Sequence, residues 1–170
     1  GDGIAIMGSY NLIYDSNATG GGGDGVYVWG SDNLIYRSTT VGYGGNGIYI
    51  TGSNNTIYRS RVAGYRNGII IYGSDNNVTD SYVVGYDGAG IAITGNDNTI
   101  YYSNATSKGY YSAGIYIAGS HNLIYYSNAT SKEYEGIAVS GDYTTIYRTR
   151  AAGYGGGIYI TGSYNNVTDS

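Results

Sequence analysis

Two acidic residues, Glu133 and Glu135, stand close enough in the chain to suggest acid–base chemistry. Hydrolysis of a glycosidic bond, for example, uses two carboxyl groups that flank the bond. Both glutamates, however, lie in a predicted turn at 131–135 rather than on a strand face. We therefore expect them to be solvated, and we assign them no catalytic role.

Metal-binding residues are also scarce. The chain has one histidine, His121, one methionine and no cysteine, which excludes a soft-metal site of the kind that holds copper. The segment 22–26 is similar to a calcium-binding nonapeptide, but it occurs once and without a nine-residue period. The sequence predicts no catalytic residue, no cofactor and no metal.

Composition narrows the class of protein. The 170 residues include 8 basic and 12 acidic residues, and the formal net charge of -4 argues against a nucleic-acid partner. No apolar run approaches the roughly 18 residues of a membrane span. Tyrosine occurs 24 times while phenylalanine is absent, which predicts aromatic rings at a solvated boundary rather than in a core.

The dominant feature is a repeat that runs through the whole chain. The motif Gly-Ile-x-Ile-x-Gly-Ser-x-Asn-x-Ile-Tyr returns about every 22 residues, which indicates stacked structural units. Its first glycine falls at Gly3, Gly25, Gly47, Gly68, Gly90, Gly114, Gly136 and Gly157.

Within each repeat, apolar residues alternate with a period of two, which is typical of short strands. Ile48 and Ile50 face inward from a first strand, Ile57 from a second, and a small residue such as Val62 from a third. The sequence therefore predicts an all-β fold, a right-handed parallel β-helix of about eight coils over residues 1–170. A left-handed β-helix would have about 18 residues per coil, and leucine-rich repeats need more than the three leucines present.

The repeated core resembles the NosD-like family of right-handed β-helix surface and periplasmic proteins, over the whole chain. Residues 47–57, Gly-Ile-Tyr-Ile-Thr-Gly-Ser-Asn-Asn-Thr-Ile, are representative. The resemblance implies the fold, while the family includes sugar-active enzymes, adhesins, surface-layer components and accessory proteins. Tyrosine stands here at several positions where the family more often has asparagine.

The outer face of the first strand carries the catalytic groups in β-helices that cleave polysaccharides. In this chain its two columns of equivalent residues contain no acid, base or metal ligand, so we predict that the protein is not an enzyme. The columns are Ala5, Tyr27, Tyr49, Ile70, Ala92, Tyr116, Ala138, Tyr159 and Met7, Trp29, Thr51, Tyr72, Thr94, Ala118, Ser140, Thr161.

Two further columns are predicted to form ladders along the helix. Stacked asparagine amides can bond to one another and to the turn backbone, so we predict a structural role for Asn11, Asn33, Asn55, Asn76, Asn98, Asn122 and Asn165, interrupted by Thr144. Stacked tyrosines either stabilise the sheets or offer an aromatic interaction surface, at Tyr14, Tyr36, Tyr58, Tyr101, Tyr125 and Tyr147.

Charged residues of opposite sign alternate in part of one column. The pattern predicts ion pairs between Asp15 and Arg37 and between Arg59 and Asp80. A third pair is expected between Arg148 and Asp169. Exposed pairs of this kind contribute about 0.2–1 kcal/mol each, so their main role would be to hold the register of the coils.

Six Asn-x-Thr sequons are candidates for N-glycosylation, and all are expected at turns or on the outer surface. Two of them, Asn104 and Asn128, should lie in adjacent coils, so that large glycans on both would compete for space. The sequons begin at Asn17, Asn54, Asn77, Asn104, Asn128 and Asn166.

Two turns that we interpret as lengthened, at 107–112 and 131–135, contain both lysines of the chain. Loops on one face of a solenoid are common sites of binding, so these turns extend the possible interaction surface, although ordinary variation in turn length is the better explanation. The residues concerned are Lys108, Tyr110, Tyr111, Lys132 and Tyr134.

The sequence as a whole favours a structural extracellular protein, a building block of a surface layer, sheath or filament. We expect the domain to be uncapped and part of a longer chain or a homopolymer that assembles end to end or through tyrosine-rich faces. The alternative function is that of a carbohydrate-binding adhesin or stalk. A degenerate polysaccharide lyase or hydrolase is a third, less favoured hypothesis. We expect a cell-surface or extracellular location, with an archaeon as the source, and self-association or glycans as partners.

Overall fold

The structure, a computed structural model, describes all residues from 1 to 170 and contains 23 short strands joined by turns. In chain order the strands are β1 (Ile4–Met7), β2 (Leu12–Tyr14), β3 (Asn17–Gly20), β4 (Val26–Trp29), β5 (Leu34–Tyr36), β6 (Thr39–Gly42), β7 (Ile48–Thr51), β8 (Thr56–Tyr58), β9 (Arg61–Gly64), β10 (Ile69–Tyr72), β11 (Asn77–Thr79), β12 (Tyr82–Gly85), β13 (Ile91–Thr94), β14 (Thr99–Tyr101), β15 (Asn104–Ser107), β16 (Ile115–Ala118), β17 (Leu123–Tyr125), β18 (Asn128–Ser131), β19 (Glu135–Ser140), β20 (Thr145–Tyr147), β21 (Arg150–Gly153), β22 (Gly156–Thr161) and β23 (Asn166–Thr168).

The strands form three parallel sheets, and each complete coil gives one strand to each sheet. Sheet 1 has the order β1-β4-β7-β10-β13-β16-β19-β22, sheet 2 the order β2-β5-β8-β11-β14-β17-β20-β23, and sheet 3 the order β3-β6-β9-β12-β15-β18-β21. Equivalent residues of successive repeats are partners in the register, as Ile48, Ile69 and Ile91 are in sheet 1. The predicted parallel β-helix of about eight coils is confirmed.

A column of β-branched residues fills the interior of the coil. Twenty-four buried apolar residues form one continuous cluster, with isoleucine and valine from sheets 1 and 2 and smaller residues such as Ala105 and Ala129 from sheet 3. Burying one such isoleucine or valine contributes roughly 1.5–3 kcal/mol. No tyrosine is buried, in agreement with the expectation that the aromatic rings stand at a solvated boundary.

A glycine column at the corner after sheet 1 lets the coils approach each other. At Gly73, φ is +153°, and a Cβ atom would collide with the carbonyl oxygen of Gly52 in the preceding coil. Positive φ values are found along this column at Gly30, Gly52, Gly73, Gly95, Gly119, Gly141 and Gly162, but not at the equivalent Gly8.

Two other turn columns hold non-glycine residues in the left-handed region. Arg59 has φ of 51° and His121 has φ of 58°, values that are uncommon for side chains of this size. The backbone N–H of each donates to a carbonyl of a neighbouring coil, from Arg59 to Thr79 and from His121 to Asp142. Bonds between coils therefore fix a conformation that a single turn would not favour.

Candidate functional site

The outer face of sheet 1 is aromatic and uncharged at its first coils. The rings of Tyr27 and Tyr49 stack with centroids 5.2 Å apart, and Tyr49 and Tyr72 lie 5.7 Å apart. Beside them, Trp29 is 60% exposed and Met7 is 77% exposed. The register places every residue of this face where the repeat predicted it, and none of them is an acid or a base.

From Asn11 to Asn122, the asparagine column forms an unbroken ladder between the coils at the corner of sheets 1 and 2. Asn55 donates from its backbone N–H and from Nδ2 to Oδ1 of Asn76, at 2.8 and 3.1 Å, and Asn76 donates in turn to Asn98. The same bonds join Asn11 to Asn33 and Asn33 to Asn55, while Asn98 donates to Asn122.

Thr144 breaks this ladder. Its Oγ1 is buried without a hydrogen-bond partner, and the backbone N–H of Asn122, which should donate to the next side chain, has no protein acceptor. Beyond the break, Asn165 accepts from the Thr144 backbone at 2.8 Å and donates to the carbonyl of Gly141. Apart from the two unpartnered groups at this break, the side chains of the ladder donate to and accept from one another and the turn backbone, which supports their structural role.

Three more ladders were not predicted from the sequence. Buried serines such as Ser38 and Ser60 accept the backbone N–H groups of Ser16 and Ser38 in the preceding coils, at the corner of sheets 2 and 3. A second series links Ser31 to Ser9 and Ser53 to Ser31. The third joins Asp2, Asp24, Asn46 and Asn67 at the corner before sheet 1, where Asp24 Oδ1 accepts the Asn46 backbone N–H at 2.6 Å.

The predicted ion pairs form at the corner of sheets 2 and 3. Arg37 lies 2.9 Å from Asp15, Arg59 3.6 Å from Asp80, and Arg148 3.6 Å from Asp169, which confirms all three pairs. The guanidinium groups also lie over the tyrosine column, with Arg59 4.8 Å from the ring centre of Tyr58.

Three tyrosines of this corner and column have raised pKa values. The carboxylate of Asp15 is the main cause that raises the pKa of Tyr14. Partial burial raises the pKa of Tyr101, assisted by the neighbouring Tyr102, and partial burial also raises the pKa of Tyr147. The tyrosine column is packed in two groups, stacked from Tyr14 through Tyr58 and edge-to-face around Tyr101.

A groove runs along the outside of sheet 3, parallel to the axis of the coil. Its floor is formed by the outward side chains of Val41, Ala63 and Val84, which are partners in the register. Two adjoining depressions of about 420 and 310 Å³ share this floor. We call this surface the sheet-3 groove. It begins at the coil of Val41 and reaches the coil of Lys108.

The two walls of the sheet-3 groove are also columns of stacked residues. One wall is the turn that leaves sheet 3, where each backbone N–H donates to the preceding coil, and it consists of Tyr43, Tyr65, Tyr86, Lys108 and Lys132. The other wall is the first outward column of sheet 3, with Thr39, Arg61, Tyr82, Asn104 and Asn128. The floor continues past Val84 as Thr106 and Thr130, whose hydroxyls are 3.1 Å apart.

The lysine turns therefore extend the groove. Lys108 Nζ lies 4.5 Å from the ring centre of Tyr86, and Lys132 Nζ lies 4.9 Å from that of Tyr110 and 3.4 Å from Glu133. Our interpretation of both turns as lengthened is wrong for 131–135, because it has the same number of residues as the turn at 42–46 between equivalent strands. Only the turn at 107–112 contains extra residues, in a repeat of 24.

The remaining residues of the lysine turns lie beside the groove. Tyr111 and Tyr134 line a separate depression of about 280 Å³ that also includes Tyr116 of sheet 1. Tyr110 and Tyr111 are 64% and 89% exposed.

All six sequon asparagines are exposed. Asn104 and Asn128 are partners in the register of adjacent coils, as predicted, and Asn128 Nδ2 donates to Asn104 Oδ1 at 2.9 Å. Asn17 lies next to Thr39 in the same column. Asn54 donates to Asp32 at 3.0 Å, and Asn77 and Asn166 start strands of sheet 2.

The other candidates for chemistry do not converge. Glu133 pairs with Lys132, and His121 stacks on Tyr143 with centroids 5.0 Å apart. The expectation that Glu135 is a solvated turn residue is wrong, because it begins β19 and one of its carboxylate oxygens is buried without a hydrogen-bond partner. No group of three or more His, Cys, Asp and Glu residues is arranged to hold a metal ion. The structure also has no helix of the length and apolarity needed to cross a membrane.

Comparison with known proteins places the chain in a family. Residues 1–107 match the family described as the right-handed β-helix region, and the chain belongs to that family. A search of the curated proteins finds no match.

Two solved structures share the fold. They are the A-modules of the mannuronan C-5 epimerases AlgE6 and AlgE4 of Azotobacter vinelandii, with TM-scores of 0.76 and 0.75 and sequence identities of 12% and 13%. The alignments cover 98% and 96% of this chain but 55% and 56% of the two modules, so the chain spans about half of their length. At this identity the similarity concerns the fold.

Proposed function

We propose that this β-helix is a carbohydrate-binding protein that holds a linear polysaccharide in the sheet-3 groove and does not cleave it. The observation that carries the proposal is the groove itself, a channel along the coil axis with an apolar floor at Val41, Ala63 and Val84 and a wall of three exposed tyrosines. Sugar rings have one apolar face, and they pack against aromatic rings that are fixed at a wet surface.

The spacing of the wall fits an extended polymer. Tyr43, Tyr65 and Tyr86 belong to successive coils, so their backbones repeat at about 4.8 Å along the axis. A polymer that lies along the groove could therefore meet an equivalent ring at each coil. The two structures with the same fold are named as enzymes that act on a polysaccharide, mannuronan, which also favours a carbohydrate ligand.

The absence of catalysis is part of the proposal. The outward columns of sheet 1 contain only aromatic, aliphatic, thioether and hydroxyl side chains, while glycoside hydrolysis needs two carboxyl groups about 5–9.5 Å apart. In the sheet-3 groove the lining residues include no acid. Binding without bond cleavage is the activity that these side chains support.

Affinity electrophoresis tests the proposal. The protein is run through gels that contain mannuronan, polygalacturonate, a mannan or a glucan, and at least one polymer should retard it. Replacement of Tyr65, which is 58% exposed, by alanine should lower the affinity measured from the retardation about tenfold. The reason is that the loss of one stacked ring costs roughly 1–1.5 kcal/mol of binding free energy.

Tyr159→Ala is the matched control, since Tyr159 is 53% exposed on sheet 1 and lies outside the groove. It should migrate like the unmodified protein. Absence of retardation in every gel, or equal losses in both variants, would overturn the proposal. Release of sugar from any polymer would overturn the claim that the protein is not an enzyme.

A second candidate function is the structural one, a repeat unit of an extracellular surface layer, sheath or filament. The observation that favours it is the lack of charge on the outward columns of sheets 1 and 2, with Trp29, Met7 and Leu12 all more than half exposed. Exposed apolar strips of this kind promote lateral association. Electron micrographs of the concentrated protein should show ordered side-by-side arrays, and a uniform monomer at high concentration would exclude this function.

A further inference from the structure

The cations of this acidic protein are distributed unevenly. Four of its eight basic residues are paired with carboxylates, namely Arg37, Arg59, Arg148 and Lys132. The other four form no ion pair. Two of these, Arg61 and Arg150, lie on the outer face of sheet 3, and Arg66 and Lys108 lie in the turns that leave it.

We propose that the sheet-3 groove selects acidic polysaccharides, polymers whose sugars carry carboxylate or sulfate groups, through Arg61, Lys108 and Lys132. The inference rests on the proposed function and names the class of its ligand. Arg61 and Lys108 line the same depression as Tyr82 and Tyr86, so their charges lie beside the surface on which sugar rings would stack.

Carboxylates of the protein do not neutralise this face. No outward residue on any strand of sheet 3 is aspartate or glutamate. Asp87 and Glu133 are the nearest acids in the chain, in the turns that follow Tyr86 and Lys132, and only Glu133 forms an ion pair. A bound anion would therefore meet two cations that have no partner of their own and one, Lys132, that it would share with Glu133.

The groove changes character along its length in a way that fits such a polymer. Its first three coils combine tyrosines with an apolar floor, and the next two combine Lys108 and Lys132 with the hydroxyls of Thr106 and Thr130. Arg61 and Lys108 are two coils apart, roughly 10 Å along the axis, and stand on opposite walls. A polymer with an acidic group on every sugar would place charges near both cations while its rings contact Tyr65 and Tyr86.

The cations are held ready rather than free in solution. Lys108 extends over the Tyr86 ring and Lys132 over the Tyr110 ring, and such contacts restrict a flexible side chain and orient its ammonium group. This reduces the entropy lost when an anion binds.

A matched pair of polymers separates this inference from the proposed function. Binding of polygalacturonate is compared by isothermal titration with binding of its fully methyl-esterified form, which has the same backbone without the charge. The acid should bind at least tenfold more tightly, and the difference should shrink as salt is added, because exposed charges are screened.

The variant Lys108→Gln/Lys132→Gln should lose about tenfold in affinity for the acid and should bind the ester as the unmodified protein does. Arg59→Gln is the control, since Arg59 is already paired with Asp80 outside the groove, and it should bind both polymers normally. Circular dichroism of each variant verifies that the β-helix is intact.

Each other outcome has a distinct meaning. Equal affinity for acid and ester, or equal losses in Arg59→Gln and the lysine variant, would overturn the charge selection and leave the binding of carbohydrate in place. If neither polymer binds and no polymer retards the protein in the electrophoresis, the proposed function itself would be overturned. Dimers that exclude both polymers would show that a second copy of the chain occupies the groove.

Discussion

The corner of sheets 1 and 2 and the outer face of sheet 3 are built in the same way, from residues stacked at one position of successive coils, yet they serve different purposes. At the corner, Asn55, Asn76 and Asn98 bond to one another and are buried. On sheet 3 and in the turn that leaves it, the side chains of Arg61 and Tyr65 are exposed, and Arg61 forms no ion pair. Stacking therefore stabilises the coil where polar atoms satisfy each other, and leaves exposed side chains where they do not.

Substitution in the glycine column at this corner should have the largest effect on stability. Gly73→Ala should destabilise the protein by about 4 kcal/mol, since the new Cβ would collide with the Gly52 carbonyl and the φ of +153° would be strained. Urea denaturation followed by circular dichroism measures the change. Gly21→Ala, whose Cβ would meet nothing within 4 Å, should be nearly neutral, and equal effects of the two would contradict the role of close approach.

The asparagine ladder should be the next most sensitive feature. Asn76→Ala removes the acceptor of two bonds from Asn55 and leaves a buried N–H without a partner, so the free energy of unfolding should fall by about 3 kcal/mol. The adjacent Asn77→Ala changes an exposed side chain and should have almost no effect. A similar loss in both would mean that the ladder does not hold the coils together.

Restoring the missing asparagine of the ladder should raise the free energy of unfolding. Thr144→Asn places an amide oxygen next to the unpartnered N–H of Asn122 and removes a buried hydroxyl without a bond, so we expect a gain of about 1 kcal/mol. The same denaturation measurement applies. Unchanged or lower stability would show that the coil at Thr144 has adapted to the smaller residue.

Alkaline pH should produce the smallest effect. The folded protein holds the phenolic protons of Tyr14, Tyr101 and Tyr147 more tightly than the unfolded chain, whose tyrosines titrate near the ordinary pKa of about 10. Their contribution to stability is therefore fully present below pH 10 and is lost as the pH rises through the raised pKa values.

Thermal melts across the alkaline range would reveal the loss as a falling midpoint. Tyr101→Phe cannot ionise at that position and should make the decline shallower. A midpoint that is constant to pH values above the tyrosine range would contradict this account.

The fold could be predicted from the sequence because its determinants repeat. Ile48, Ile50 and Ile57 mark inward positions that recur in every coil, and Asn55 and Gly52 mark the turn. Once the 22-residue coil is assigned, equivalent residues of successive coils must lie next to each other. The same rule predicts the carboxylate partners of Arg37, Arg59 and Arg148. The serine ladder was missed because serine is common in turns and its burial is not visible in a pattern of apolar residues.

The sheet-3 groove was missed for the opposite reason, because its columns do not repeat. The floor changes from valine at Val41 to alanine at Ala63, and it ends in threonine at Thr106 and Thr130. One wall changes from tyrosine to lysine at Lys108. The sequence drew attention to the two lysine turns, but it did not show that they continue a wall of tyrosines. The tyrosines and lysines of this wall lie along one groove because the parallel register of sheet 3 brings together residues from five coils.

The central claim is that carbohydrate binds on sheet 3 while the other faces form the scaffold. Backbone amide shifts of the isotope-labelled protein, recorded by nuclear magnetic resonance with and without polygalacturonate oligomers, test it most directly. We predict that the shifts change at Val41, Ala63, Tyr65 and Lys108 and remain constant on sheet 1. Changes centred on Trp29, Tyr49 and Tyr72, with none along sheet 3, would contradict the account.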